Sequence, residues 1–258
     1  MIFTDTHAHL YLPEFDNDRN ETVARALSAG VKYMLLPNIT AKTVTPMLDL
    51  SGRYAKNIFP MVGLHPTDVK SDFEEELALV KSFIGKHKFY AIGETGIDLY
   101  WDKTHLEHQK VALREQIQWA KDYNLPIVLH VRNSFDEIFE IIDSTVDEKL
   151  TGVFHCFSGN ASQAERIVNW GFMLGIGGVL TYKNSGLDRA IANIQMENIL
   201  LETDSPFLSP VPFRGKRNES SYILQVASTL ATIKGISVAE VARITTLNAI
   251  RLFRFPID

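Results

Sequence analysis

The stretch PIVLHV (Pro126–Val131) is a short apolar run that closes on a histidine, and its pattern recurs along the chain. Comparable runs are IFTDTH from Ile2, VKYMLLPN from Val31, IFPMVGLH from Ile58, YAIGETG from Tyr90, GVFHCF from Gly152, FMLGIGG from Phe172 and NILLETD from Asn198. Near-continuous apolar character marks strands covered on both faces, as in parallel sheets, rather than half-exposed antiparallel ones. Helical periodicity fills the gaps: Phe73, Leu77, Val80 and Ile84 share one face, as do Leu113, Ile117 and Ala120, and Ile223, Val226, Ala227 and Leu230. Ser71 with Glu74 and Ser237 with Glu240 read as capping boxes, and Gly30, Gly171 and Gly235 stand where helices should stop. Unbroken strand–helix alternation predicts an α/β fold, a single (β/α)8 TIM-type barrel over residues 1–258, in preference to a doubly wound open sheet. A helix pair near the C-terminus is expected to close the outer layer.

Composition agrees with that size and class. The chain has 258 residues, 45% of them hydrophobic and 22% charged, and barrels of this type run to about 250 residues. A net charge of −5 argues against binding nucleic acid or anionic membrane through bulk charge. It leaves a nuclease open, because bound divalent cations reverse the potential locally. The lone Cys156 excludes an internal disulfide and a thiolate metal cluster. The opening MIFTDTHAHL lacks the basic and apolar regions of a signal peptide. Val168–Tyr182 is broken by Asn169 and four glycines, short of the ~20 apolar residues of a membrane span. A cytoplasmic location with no membrane partner is expected.

The chemistry lies at the ends of the runs. The first passes into Asp5-Thr6-His7-Ala8-His9, the third into His65 and the fourth into Glu94, while the fifth, sixth and eighth end at His130, His155 and Glu202-Thr203-Asp204. In a parallel barrel these ends open on one rim, where active sites of this fold are built. Five of the eight histidines fall there, which random placement would not produce. His7 and His9 are two apart and project to one side of an extended segment, as two imidazoles on one metal require. Four imidazoles and two carboxylates exceed a single catalytic site with an open position for water. We therefore expect a metal site at the C-terminal rim with two divalent ions. His7, His9 and Asp204 are placed on one, His130 and His155 on the other, and Glu94 between them.

The motifs resemble those of the TatD family of metal-dependent deoxyribonucleases, in the amidohydrolase superfamily. DTHAHL (Asp5–Leu10), VGLHP (Val62–Pro66), GETGID (Gly93–Asp98), LPIVLH (Leu125–His130), FHCFSG (Phe154–Gly159), LLETDSP (Leu200–Pro206) and RGKRNE (Arg214–Glu219) carry the resemblance over essentially the whole chain. It implies a TIM-type barrel, two divalent metals and hydrolysis of DNA phosphodiesters. Its metal ligands map onto His7, His9, Glu94, His130, His155 and Asp204. Departures at Thr95, Tyr100-Trp101, Ser220-Ser221 and HVRNS (His130–Ser134) remove no ligand and bear on substrate preference.

The expected reaction is hydrolysis by a water activated between two cations, with Asp204 as general base and Glu94 as bridge. Nitrogen-rich ligands favour Zn, Mn, Ni or Co, whereas the resemblance suggests Mg or Mn. Expected substrate contacts are His65, Arg132, Arg214 and Asn218, with Lys216 and Arg217 behind them, although a solvated loop explains RGKR as well. The expected partner is DNA, as single-stranded ends or lesions. The alternative is an ester or amide hydrolase, such as a D-aminoacyl-tRNA deacylase acting on tRNA, because such metal pairs polarise carbonyl and phosphoryl oxygens alike. Cys156 is expected to face the helices as a core thiol, since neighbours on a strand alternate. The absence of G-x-S-x-G speaks against a serine hydrolase. His105 and His108 share a helix face but read as a polar helix start, and Gly175-Ile-Gly-Gly178 reads as small residues keeping the mouth open.

Overall fold

The computed structural model describes residues 1–257. Eight strands form where the apolar runs stand: β1 (Phe3–Asp5), β2 (Val31–Pro37), β3 (Ile58–Met61), β4 (Ile92–Asp98), β5 (Ile127–Arg132), β6 (Gly152–Phe154), β7 (Met173–Ile176) and β8 (Ile199–Leu201). Between and after them lie α1 (Arg19–Ser28), α2 (Ala41–Arg53), α3 (Phe73–Lys81), α4 (Leu106–Asp122), α5 (Phe135–Thr145), α6 (Ala161–Asn169), α7 (Leu187–Ile191), α8 (Ile223–Lys234) and α9 (Val238–Phe253). Every strand pair is parallel, in the orders β1-β2-β3 and β4-β5-β6-β7-β8. Backbone hydrogen bonds close both seams. Val62 N donates to Ala91 O and Gly93 N to Val62 O between β3 and β4, and Thr6 N donates to Leu201 O at 3.0 Å between β8 and β1. The result is a closed (β/α)8 barrel.

Strand parity divides the core in two. Tyr33, Leu35, Phe59, Met61, Val128, Val153, Met173 and Leu200 point into the barrel and form one apolar cluster. The end of α9 and the residues after it plug this cluster from below, with Phe255 stacked on Phe59 at 4.7 Å. Residues of opposite parity, among them Met34, Leu36, Ile127, Leu129, Phe154, Leu174 and Leu201, pack outward against the helices. Two residues above inward-facing Val128, Val153 and Leu200 stand His130, His155 and Glu202. The same alternation that fills the barrel interior with hydrocarbon therefore carries polar side chains to its upper rim.

Local signals are read mostly as expected. Gly30, Gly171 and Gly235 take left-handed conformations at φ 90, 83 and 65°, and Ser237 Oγ accepts from Glu240 N at 3.1 Å to cap α9. One reading is corrected: α3 begins after Asp72, and Ser71 does not cap it. The run Glu74–Glu76 supports this start instead, as acidic residues do at the positive end of a helix dipole. Among the described residues no single helix is long and apolar enough to cross a membrane.

Candidate metal centre

Glu94 is the centre of the rim. Its side chain is 3% exposed, and its two oxygens face different imidazoles. Oε2 lies 3.0 Å from His7 Nε2 and 3.5 Å from His9 Nε2, while Oε1 lies 2.8 Å from His130 Nδ1, 2.9 Å from His155 Nε2 and 3.3 Å from His65 Nε2. Asp204 completes the ring through Oδ1, 3.5 Å from His9 Nε2 and 3.9 Å from His7 Nε2. The six residues expected as ligands thus converge, although His7 and Asp204 are nearly two hundred positions apart in the chain. Three sets come close enough to hold an ion: His7, His9 and Glu94; His65, Glu94 and His130; and His7, His155 and Asp204. His65, expected at the substrate, stands within the cluster itself. The expected division between two ions is also blurred, because the His155 ring stacks on His7 at 3.8 Å and lies 5.8 Å from His130.

The donor set fits cations. His7 Nε2 and His9 Nε2 sit 3.3 Å apart, and His7 Nδ1 is buried without a partner. Burial opposes ionisation of Glu94, yet electrostatic interaction with the surrounding imidazoles, His155 first, holds its carboxyl well below the usual range. Burial likewise opposes the His9 imidazolium, but its hydrogen bonds to Asp204 and Glu94 prevail and lift it to about 9. At His7 burial and the neighbouring His155 charge act together and push the value down. An anionic pair of carboxylates enclosed by imidazoles is a site built around positive charge, and its nitrogen and oxygen donors suit borderline divalent metals.

Further acids, not singled out in the sequence, hold the imidazoles in place. Asp98 Oδ2 lies 2.8 Å from His130 Nε2, while its Oδ1 accepts from Tyr100 N at 2.9 Å. Glu202 Oε1 lies 3.2 Å from His155 Nδ1 and accepts from Cys156 N. Tyr11 Oη lies 3.2 Å from His9 Nδ1 and donates to Pro37 O. Such partners fix ring orientation and tautomer at metal sites. Asp98 ends β4 and Glu202 follows the last residue of β8, whereas Glu94 and His130 lie within β4 and β5. The strands run past the expected ends, and the strand-end signal applied to Asp98 and Glu202 too. Glycine makes room for one of them: a Cβ on Gly175 would lie 2.3 Å from Glu202 Oε2.

Asp204 sits at φ 56°, a left-handed conformation that aspartate tolerates. Its N donates to His7 O at 2.9 Å, and Phe207 N donates to its O at 2.8 Å. Asp5 anchors the preceding residue, accepting from Thr203 N at 3.0 Å and Thr203 Oγ1 at 2.6 Å. Burial pushes the Asp5 carboxyl up to about 7 against these hydrogen bonds.

The expected substrate contacts divide. Arg132 is exposed and lines the cavity above the cluster, about 680 Å³ in volume. Arg214 is exposed at the rim, its guanidinium 4.3 Å from the Tyr182 ring centre. Asn218 is a correction: it is fully buried, and its Nδ2 donates to Thr203 O and Phe207 O, both at 2.7 Å. With its amide spent inside the loop that carries Asp204, it shapes that loop. Arg217 similarly forks onto Asp18 at 2.6 and 2.7 Å. Cys156 is a second correction. β6 stops at Phe154, and Cys156 at φ 45° has left the alternating pattern, so its side of the chain lines the cavity.

A family model described as TatD related DNase matches residues 4–254. The chain belongs to the TatD family. It is 39% identical over 255 residues to the uncharacterized metal-dependent hydrolase YabD of Bacillus subtilis, covering 98% of this chain and 99% of that protein. The uncharacterized metal-dependent hydrolase YjjV of Escherichia coli is 33% identical over 257 residues, covering 98% of each. The YjjV crystal structure superposes with a TM-score of 0.92 over 98% of both chains. A TatD family hydrolase from Entamoeba histolytica shares the fold at 22% identity, with a TM-score of 0.83 over 98% of both chains. The protein is a metal-dependent hydrolase of this family.

Proposed function

We propose that this TatD family hydrolase cleaves phosphodiester bonds in DNA, working from single-stranded ends or lesions, with two divalent cations that would be held by His7, His9, Glu94, His130, His155 and Asp204. The observation that carries the reading is the two-sided Glu94 carboxylate, with His7 and His9 at Oε2 and His65, His130 and His155 at Oε1. Zn, Mn, Ni or Co suits the imidazoles, and Mg suits the carboxylates. When bound, such cations supply Lewis acidity toward a phosphoryl oxygen and lower the pKa of water.

The chain's own groups do the rest. Glu94 would help hold cations through both of its oxygens, Oε2 beside His7 and His9 and Oε1 beside His65, His130 and His155. Asp204 turns Oδ1 toward His9 and His7, and Oδ2 is the oxygen we assign to accept the proton of the attacking water. Asp98 holds the His130 ring so that the nitrogen facing Glu94 carries a lone pair, and Glu202 places its charge 3.2 Å from His155 Nδ1. Arg132 and Arg214 supply positive charge for a phosphate-bearing chain. The cluster lies buried at the floor of the cavity, where the low dielectric strengthens these interactions.

The test incubates purified protein and a His130→Ala control with end-labelled single-stranded DNA, duplex DNA and aminoacyl-tRNA, with the divalent metal varied. Metal-dependent loss of the single strand that disappears in the control supports the reading. Hydrolysis of aminoacyl esters with DNA left intact replaces it with the deacylase.

A further inference from the structure

Five arginines are spent on carboxylates: Arg19 on Asp16, Arg25 on Glu219, Arg166 on Asp143, Arg217 on Asp18 and Arg243 on Glu240. Arg132 is mounted differently. Its guanidinium lies 3.9 Å from the Tyr100 ring centre and 5.4 Å from that of Trp101, and among the described residues no carboxylate pairs with it. The two rings, set at 88° to each other, hold the guanidinium at the edge of the cavity without spending its N–H donors on a carboxylate. The platform is itself anchored, since Asp98 Oδ1 accepts from Tyr100 N at 2.9 Å and Trp101 N at 3.4 Å. Asp98 also holds His130, so platform and metal centre share one carboxylate and a fixed relation.

Position along β5 gives that relation a length. Arg132 follows His130 by two residues, on the same side of the strand and roughly 6–7 Å further out. That is comparable to one nucleotide step of an extended single strand. Beside it Trp101 presents an open ring, 69% exposed. Across the mouth the cavity is bounded by Phe207 and Leu208, 46% and 40% exposed. A fixed cation next to an aromatic face, opposite an apolar wall, is an arrangement for a phosphate with its base attached.

Building on the phosphodiesterase reading, we propose that Arg132, carried on Tyr100 and Trp101, is a specificity-determining residue that reads the unreacting phosphate next to the scissile one, with Trp101 stacking the base of that nucleotide. The cluster at the floor needs one phosphate; the platform makes the protein prefer substrates with two. Preference for a second phosphate is therefore a property of the loops after β4 and β5, which Asp98 ties to the metal centre.

The test uses Mn²⁺-loaded protein and hydrolysis-resistant phosphorothioate thymidine oligonucleotides, a dinucleotide with one internucleotide phosphate and a trinucleotide with two. Binding is followed by quenching of tryptophan fluorescence. A charge-assisted phosphate contact is worth roughly 10- to 100-fold in affinity, so wild type should favour the trinucleotide by about tenfold or more. Arg132→Gln should bring the two ligands close to parity and flatten the salt dependence of trinucleotide binding by about one phosphate contact. Arg132→Lys should restore part of the preference, and Trp101→Leu should remove most of the quench. Equal affinities in wild type overturn the proposal, as does an Arg132→Gln variant that weakens both ligands equally. The underlying reading fails differently: wild type then leaves the matching phosphodiester oligonucleotides uncut with every metal tried.

Discussion

Replacing Asp98 by asparagine tests whether the carboxylates behind the imidazoles act through tautomer control. Asp98 is 2% exposed and uses Oδ2 toward His130 Nε2 at 2.8 Å, while Oδ1 accepts the Tyr100 and Trp101 amides. Asparagine fills the same volume. Its single carbonyl oxygen is claimed by those two backbone N–H groups, which turns Nδ2 toward His130. Two donors cannot face each other, so His130 must give up its Nε2 proton and carry one on Nδ1, the atom 2.8 Å from Glu94 Oε1. That nitrogen then has no lone pair for a metal. Partners of this kind are worth about 10- to 100-fold in metal affinity, or roughly 1.4–2.7 kcal/mol. Calorimetric titration of chelator-treated protein with Mn²⁺ or Zn²⁺ should show that much affinity lost from the ion His130 would hold in Asp98→Asn, while the circular dichroism spectrum is unchanged. Affinity within twofold of wild type for both seats, in a folded variant, would falsify the tautomer argument.

Other perturbations probe the frame around the site. Gly175→Ala places a Cβ against Glu202 Oε2 and should displace the carboxylate that holds His155. Turnover should then fall at least tenfold with a thermal midpoint close to that of wild type; unaltered turnover would show Glu202 to be dispensable. At low pH the Asp18–Arg217 fork is informative. Hydrogen bonding to Arg217, against a smaller burial cost, holds the Asp18 carboxyl below the usual aspartate range. A depressed folded value contributes stability that is complete above about pH 4 and is lost as pH falls through the folded value. Urea midpoints of metal-free Asp18→Asn should therefore lie below wild type at pH 7 and converge with it toward pH 2. A constant gap across that range would assign the effect to packing.

How much of this was legible follows from where each residue sits relative to a strand. Within strands, period-two alternation is rigid: Val128 inward commits His130 to the rim, Val153 commits His155 and Leu200 commits Glu202. Those positions were readable because parity holds along a regular ladder; β1 and β4, which carry Asp5 and Glu94, have register shifts that spacing does not reveal. Once the chain leaves the ladder, parity lapses. Cys156 lies one residue past the rim at φ 45° and turns into the cavity, against the alternation that would have buried it. His65, four residues beyond β3, swings to Glu94 because its backbone N donates to Ile39 O and its Nδ1 side is taken by Thr67. Neither partner is marked by sequence spacing. The RGKRNE segment shows a third limit. Charge alone cannot say whether an arginine serves solvent, substrate or fold, and Arg217 was settled by Asp18, an acid almost two hundred residues earlier. Basic residues in a loop become informative only when their acidic partners are known. The same logic directs attention to Arg132: it rests on an aromatic ring at the edge of the cavity, and a cation so mounted at the mouth of an anionic site keeps its hydrogen-bond donors for whatever enters.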